Sequence, residues 1–394
     1  MKTEWVHKKL GDCCESELGK TLDEGRNTGL YRPYLCALNV LWGKIDISII
    51  KQMRIEDSEL ERYLVKKGDL LVCEGGEIGR CAIWENDDEI YYQNALHRVR
   101  FYKEYDAYFF MYLLCHYNDL KLIEQYGKGL TIKHLNQTAF RNIPVCVPDL
   151  SAQRRIAAIL ASADKVIAAT QKTIAKYKQM KQGMMEDLLK PKEGWKMVKL
   201  GECCTVNPKT DTTKVLDDDI VALVRMEDVS NDGFITSFSE RTYKSLQKRG
   251  LTIFQNEDVI FAKITPCMEN GKGALVRNMK SKICMGSTEF HVLRACDNVS
   301  IDFIYQLTIS KRFRQKAEMQ MTGSAGQQRV PTTFLEDYLV SIPFKNGKPD
   351  LTEQRHIAAI LSGIDAKIAA EEKVLEKYEK VKKGLMERML NEKY

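Results

Sequence analysis

The sequence predicts an α+β chain: two pseudo-repeated mixed α/β domains, separated by two long antiparallel coiled-coil helices. Three observations carry this. The opening stretch EWVHKKLGDCC (4–14) returns as GWKMVKLGECC (194–204), with Trp5 and Trp195, Gly11 and Gly201, and two vicinal Cys pairs at one offset of 190. The stretch PDLSAQRRIAAIL (148–160) returns as PDLTEQRHIAAIL (349–361) at an offset of 201. Behind each of these, apolar residues alternate at spacings of four and three, the heptad seam of a packed helix. The drift between the offsets places small insertions in the second half, as surface loops allow. A period near half the chain is far too long for a solenoid of roughly 20–50-residue units.

The 394 residues exceed what one core usually fills. Residues 1–150 and 193–351 are the expected domains, 151–192 a central helix, and 352–394 a C-terminal helix pairing antiparallel with it. Within the domains, GDLLVCEGGEIGR (68–80) aligns with EDVIFAKITPCMENGKG (257–273): an acidic turn, a short apolar strand, then a Gly-containing loop. Asp69 matches Asp258, and Gly79 matches Gly273 at an offset of 194. That offset also carries NALHRVR (94–100) onto TEFHVLR (288–294), pairing His97 with His291, which reads as a structural histidine. A helical, aromatic-spotted stretch follows in each half (108–126 and 302–320), then a polar Gly-containing loop (127–145 and 323–343).

Ser151 and Thr352 are placed as helix N-caps. The first seam runs Ile156, Leu160, Ala163, Ile167, Thr170, Ile174, Tyr177, Lys181, Met184 and Leu188, and the second repeats it from Ile357 to Met389. Pseudo-twofold symmetry between the halves favours an antiparallel pair. If Lys181 faces Glu371, then Thr170 faces Lys382, so the Lys181–Glu371 pair is expected to help fix the register. Gly183 and Gly384 share an off-seam position, which suits a partner helix approaching from outside. A helix of ~34 residues spans roughly 50 Å, a rod with one domain at each end.

A formal charge of +6 and a pI near 8.5 are compatible with nucleic acid without announcing it. The 44% apolar content argues against global disorder. None of the 12 cysteines forms C-x-x-C, vicinal pairs are poor disulfide partners, and no secretory h-region follows Met1-Lys2-Thr3. Reduced thiols in a cytoplasmic protein are therefore expected. No apolar run approaches the ~18–20 residues of a membrane span, so no membrane is expected as a partner.

Catalytic motifs are missing. There is no phosphate-binding G-x-x-x-x-G-K-[ST], and NPKT (207–210) lacks the second Pro and the aromatic of an amino-methyltransferase motif. A nuclease-like Pro349-Asp350…Glu371-Glu372-Lys373 fails because Glu371 and Lys373 would point about 200° apart on a helix. His7 becomes Met197 in the second half while the Cys pair persists, which favours packing thiols in the first strand over zinc ligands. No catalytic residue and no metal site is expected.

What remains is recognition chemistry on equivalent loops. Basic and amide side chains position phosphates and read base edges. The candidates are Arg80, Lys128, Lys133 and Asn136 in the first domain, and Lys263, Lys272, Gln327, Gln328 and Arg329 in the second.

With these motifs in order and repeated twice, the chain resembles the specificity subunits of Type I restriction–modification enzymes over essentially its whole length. The carriers are the paired EW/GW…LG(D/E) openings, the GDLL…GR strand and loop, STEFHVLR, and the two P-D-L-x-x-Q-R-x-I-A-A-I-L helix starts. The resemblance implies that each domain is a target recognition domain reading half of a bipartite double-stranded DNA site. It implies helices that set the spacing and dock two methyltransferase subunits, joined by restriction/translocase subunits. S-adenosylmethionine, ATP and Mg²⁺ would then act on those partners, with no cofactor in this chain. KITPCMENGKG departs from the commoner Arg-Gly-rich loop of the family. Two other readings stay open: the specificity subunit of a fused nuclease–methylase (BcgI-like) system, and a coiled-coil scaffold that binds no DNA.

Overall fold

A computed structural model describes residues 4–391 except 24, 128, 130–132 and 325. The chain divides into two units, Met1–Gln171 with Lys373–Tyr394, and Lys172–Glu372. The two long helices, Leu150–Leu188 and Leu351–Leu390, are each unbroken and contribute a segment to both units. No helix among the described residues is long and apolar enough to cross a membrane.

Each unit holds the same pair of four-stranded sheets. In the first unit one sheet runs in the order Cys14–Leu18, Leu96–Phe101, Leu70–Cys73, Cys81–Ile83, all antiparallel. The other runs Lys51–Ile55, Leu30–Leu35, Ile90–Tyr92, Leu64–Val65, with a parallel pair at its centre. The second unit repeats both orders with Cys204–Val206, Phe290–Ala295, Asp258–Ala262, Gly273–Leu275 and with Ser239–Thr242, Ile220–Val224, Cys284–Gly286, Thr252–Phe254. The expected α+β class and the duplication are both present.

The apolar strand LLVC (70–73) is continuous because it is buried on both faces. Leu70 and Val72 face a core shared with the helix Ala107–Asp119, while Leu71 and Cys73 face the core under the second sheet. Val259 and Phe261 on one side and Ile260 on the other repeat this alternation. Strand registers also correct one alignment: Val72 pairs with Cys81 and Phe261 with Gly273, so Gly273 corresponds to Cys81 rather than Gly79, and Lys272 to Arg80.

The Cys pairs sit one step later than the first strand. That strand ends at Lys9 or Lys199, a short helical turn follows, and Cys14 and Cys204 open the next strand. Their thiols donate back to Leu10 O (3.2 Å) and Leu200 O (3.3 Å), and burial pushes the Cys14 thiol up to about 12. These are packing thiols with low thiolate character.

The long helices start differently from expectation. Asp149 and Asp350, not Ser151 and Thr352, cap them: Asp149 accepts from Ala152 N at 2.9 Å, and Asp350 accepts from Thr352 N and Glu353 N at 3.1 Å. A carboxylate also suits the positive helix N-terminus better than a hydroxyl. The invariant Gln of the two helix starts is a clamp. Gln153 Oε1 accepts from Asp106 N (2.9 Å) and its amide donates to Pro148 O (2.8 Å); Gln354 Oε1 accepts from Ser300 N (2.9 Å). Asp106 and Ser300 themselves cap the domain helices beginning at Ala107 and Ile301. Gln153→Ala or Gln354→Ala, each emptying a fully buried site, should destabilise by about 1–3 kcal/mol in chemical denaturation.

The helix segments pair antiparallel within each unit. In the first, Ile156, Ala157 and Leu160 pack with Met386 and Leu390, and Lys382 Nζ lies 2.6 Å from Asp164. In the second, Ile357 and Leu361 pack with Met185, Lys181 Nζ lies 2.6 Å from Asp365, and Lys178 meets Glu372 at 3.0 Å. The expected Lys181–Glu371 register is therefore corrected: the partner of Lys181 stands six residues earlier, ~9 Å along the helix. Nor does Thr170 meet Lys382; its hydroxyl donates to Val166 O in its own helix. The reason is drift. Met185 and Met386, rather than Met184 and Leu385, are buried, as happens when a helix keeps ~3.6 residues per turn instead of the heptad's 3.5. Asp164 and Asp365, like Lys181 and Lys382, are separated by the 201-residue offset, so the two ion pairs are one repeated device.

Candidate nucleic-acid interface

In each domain two loops meet at one end of the first sheet. Strand Leu70–Cys73 runs into loop 74–80, and Leu135 N donates to Glu74 O at 2.7 Å, drawing in the segment before Asn136. In the second domain Val330 N donates to Lys263 O at 2.8 Å, and Thr265 N donates to Gln328 O at 3.0 Å. Both junctions are latched from beneath by the recurring histidine. His97 Nε2 lies 2.7 Å from Leu135 O, and His291 Nε2 lies 2.8 Å from Val330 O. Each ring stacks on a phenylalanine, Phe140 or Phe261.

Burial holds both imidazoles below their ordinary 6.5, with the carbonyl bond opposing it. The neutral tautomer with hydrogen on Nε2 therefore donates to the loop carbonyl. In the unfolded chain these rings take up a proton near pH 6.5, while the folded chain resists it, so stability is lost as pH falls below that value. Thermal melts between about pH 5 and about pH 7.5 should show this slope. A His97→Gln, His291→Gln double variant, keeping a donor without the titration, should flatten it; an unchanged slope would assign it elsewhere.

On the same strand, the Arg that ends each HRVR or HVLR run grips the turn acid that recurs in both halves. Arg100 meets Asp69 at 2.7 and 2.9 Å, and Arg294 meets Asp258 at 2.7 Å twice. Both carboxylates also accept a turn amide, from Lys66 N and Gln255 N. Asn207 of NPKT is likewise structural, donating to His291 Nδ1 and accepting from Val292 N.

The sequence candidates fall into distinct places. Arg80 donates to Ala37 O at 2.6 Å and Lys272 to Met226 O at 2.7 Å, so these equivalent cations staple the loop to the same point beyond the central strand of the second sheet. Lys133 is exposed, with its ammonium near Glu124. Asn136 caps the short helix Gln137–Arg141 through Ala139 N. Gln327 is exposed, and Gln328 is held to Thr265 through its backbone. Arg329 forms a bidentate pair with Glu289 at 2.8 and 2.9 Å, which holds that carboxyl below its usual range. Lys263, half-buried, adjoins the same junction. Lys128 lies outside the described residues.

Residues missed by sequence reasoning complete the picture. Arg314 is buried with no carboxylate paired to it among the described residues, is stacked on Phe261, and donates to Thr308 O, Met268 O and Lys272 O. It ties both ends of loop 268–272, and burial pushes its guanidinium down to about 9, so it stays charged at neutral pH. No repeat partner marks it in the sequence. Among the described residues no cluster of His, Cys, Asp and Glu could hold a metal ion.

The family model described as Type I restriction modification DNA specificity domain matches residues 2–179 and again 192–380. The EcoEI specificity subunit of a Type I restriction enzyme from Escherichia coli is 36% identical over 177 residues, 43% of this chain and 27% of that protein's own length. The putative MjaX specificity subunit of Methanocaldococcus jannaschii is 24% identical over 383 residues, 89% of this chain and 84% of its own. In fold, the Type-I restriction-modification S subunit from M. genitalium superposes with a TM-score of 0.58 over 100% of this chain and 98% of its own, at 13% identity. Two family matches covering nearly all of the repeated architecture settle the kinship: the chain belongs to the Type I restriction modification DNA specificity domain family, and carries that domain twice.

Proposed function

We propose that the chain is the non-catalytic, sequence-reading subunit of a Type I restriction–modification assembly. Each domain reads one half of a bipartite double-stranded DNA site through its paired loops. The long helices set the spacing and dock two methyltransferase subunits, with restriction/translocase subunits completing the assembly. S-adenosylmethionine, ATP and Mg²⁺ serve those partners. The domain bounds 1–150 and 193–351, with helices 151–192 and 352–394, are the working division of these roles.

The observation that carries this reading is a scaffold repeated position for position beneath loops that differ. The His latch, the Asp–Arg grip, the Gln clamp and the loop staple recur, whereas Glu74 stands where Lys263 does and His134 where Arg329 does. A duplicated scaffold with divergent loop chemistry suits a reader of two different short sequences. Lys133, Asn136, Lys263, Gln327, Gln328 and Arg329 remain the proposed contacts, with Arg80 and Lys272 shaping the loops; Lys128 is retained on sequence grounds. Gly183 and Gly384 leave open space where a Cβ would stand, which supports a partner packing there.

The test is DNA binding by the chain with its methyltransferase partner. Affinity for any duplex should fall steeply as salt rises, since phosphate contacts release counterions, while preference for one sequence persists. Absence of binding at every salt concentration, with the partner present, would favour the scaffold reading.

A further inference from the structure

We propose that Glu74 and His134 are the base-reading residues of the first domain, occupying the positions that Lys263 and Arg329 hold in the second. This rests on the reading that the domains bind DNA. The equivalence comes from backbone hydrogen bonds, not from sequence alignment. Glu74 N donates to Ala95 O and Glu74 O accepts from Leu135 N; Lys263 N donates to Glu289 O and Lys263 O accepts from Val330 N. The same ladder, with the same histidine latch on Leu135 O or Val330 O, fixes Glu74 to Lys263, Ala95 to Glu289, and His134 to Arg329.

One spot thus carries opposite chemistry in the two halves. In the second domain it holds a cation pair with one carboxylate, Lys263 and Arg329 around Glu289. In the first it holds a carboxylate and an imidazole, with Ala95 in the place of Glu289. Among the described residues Glu74 makes no side-chain hydrogen bond or ion pair, although its charge is felt by the His97 ring, and its neighbour Gly75 leaves room for the His134 ring. A Cβ added at Gly75 would stand 3.3 Å from His134 Cε1 and Nδ1, so this glycine lets the imidazole lie beside the loop that Glu74 opens. His134 is exposed and Glu74 half-exposed, both accessible to a ligand.

An unpaired carboxylate is repelled by phosphates but is matched to an exocyclic amine in the major groove, cytosine N4 above all. Lysine and arginine are matched to guanine O6 and N7. The first half-site should therefore carry a cytosine read by Glu74, and the second a guanine read by Arg329 and Lys263, with Arg329 exchanging Glu289 for the base.

The experiment uses the full chain with its methyltransferase subunits and a duplex library varied at every base pair of both half-sites. Glu74→Gln should lower the preference at one cytosine position of one half-site about tenfold or more and admit adenine there, leaving the other half-site unchanged. Arg329→Gln should do the reverse, relaxing one guanine position in the other half-site. An unchanged profile for Glu74→Gln, or weakening spread evenly over all positions, overturns the inference. Should Glu74→Gln lower the melting temperature, Glu74→Asp, with the same charge on a shorter stem, is scored by the same profile. A wild-type complex without base preference anywhere fails the DNA-reading proposal itself; wild-type preference that ignores Glu74 fails only this inference.

Discussion

Asp365→Ala is expected to destabilise its unit by about 3–5 kcal/mol, because it leaves the Lys181 ammonium buried without a counter-charge. The pair is close, 2.6 Å, and its side chains are only 12% and 9% exposed. A pocket of about 240 Å³ lined by Lys181, Asp365, Met185 and Ile368 adjoins the pair, and water entering it places the effect toward the low end. The repeat supplies a control. Asp164→Ala removes the equivalent partner of Lys382, at the same 2.6 Å, where exposures are 27% and 39%. Solvent screening reduces that ion pair to under about 1 kcal/mol, and losing the Tyr112 hydroxyl bond adds about 1 more. Replacing both Lys181 and Asp365 by Met and Leu should recover most of the larger loss. Chemical denaturation of the three variants decides; equal costs at 164 and 365 would mean burial is not the controlling difference.

Asp258→Ala is the second large effect, about 3–5 kcal/mol. Its carboxylate is fully buried and accepts two charged bonds from Arg294 and one from Gln255 N, so one side chain holds a strand, a turn and the neighbouring strand. Asp258→Asn should cost less, about 2 kcal/mol, since one acceptor oxygen survives. Asp69 repeats the arrangement with Arg100, so Asp69→Ala should match within about 1 kcal/mol. Melting curves of the two single variants test this, and a cost below about 1 kcal/mol in either would mean that Arg rehydration or turn relaxation replaces the grip.

The features legible in the sequence are those written in local patterns. The duplication shows in matched stretches, the long helices in seam spacing, and the packing role of the Cys pairs in their persistence without His7. Features that depend on three-dimensional neighbours were not legible. Asp149 and Asp350 displaced the hydroxyl caps because a start two residues earlier puts their carboxylates, not the hydroxyls, within reach of the third amide. The register rested on a strict heptad that the helices do not keep. The second sheet was missed because strands such as LYRPYL (30–35) and KQMRI (51–55) are too polar to stand out from loops. Arg80 and Lys272 read as free cations until the second sheet brought Ala37 O and Met226 O against them. Glu74 and Lys263 keep the 189 offset of Asp69 and Asp258, but only the backbone hydrogen bonds show that His134 and Arg329, at an offset of 195, stand beside them.

The central claim is that one chain reads two half-sites through two copies of one scaffold. Genome-wide mapping of N6-methyladenine in the host, with this gene present and deleted, addresses it most directly. The account predicts a motif of two short, different sequence blocks separated by a fixed unread spacer, which disappears on deletion. A methylation pattern unchanged by deletion, or a lost motif forming a single uninterrupted block, would contradict it.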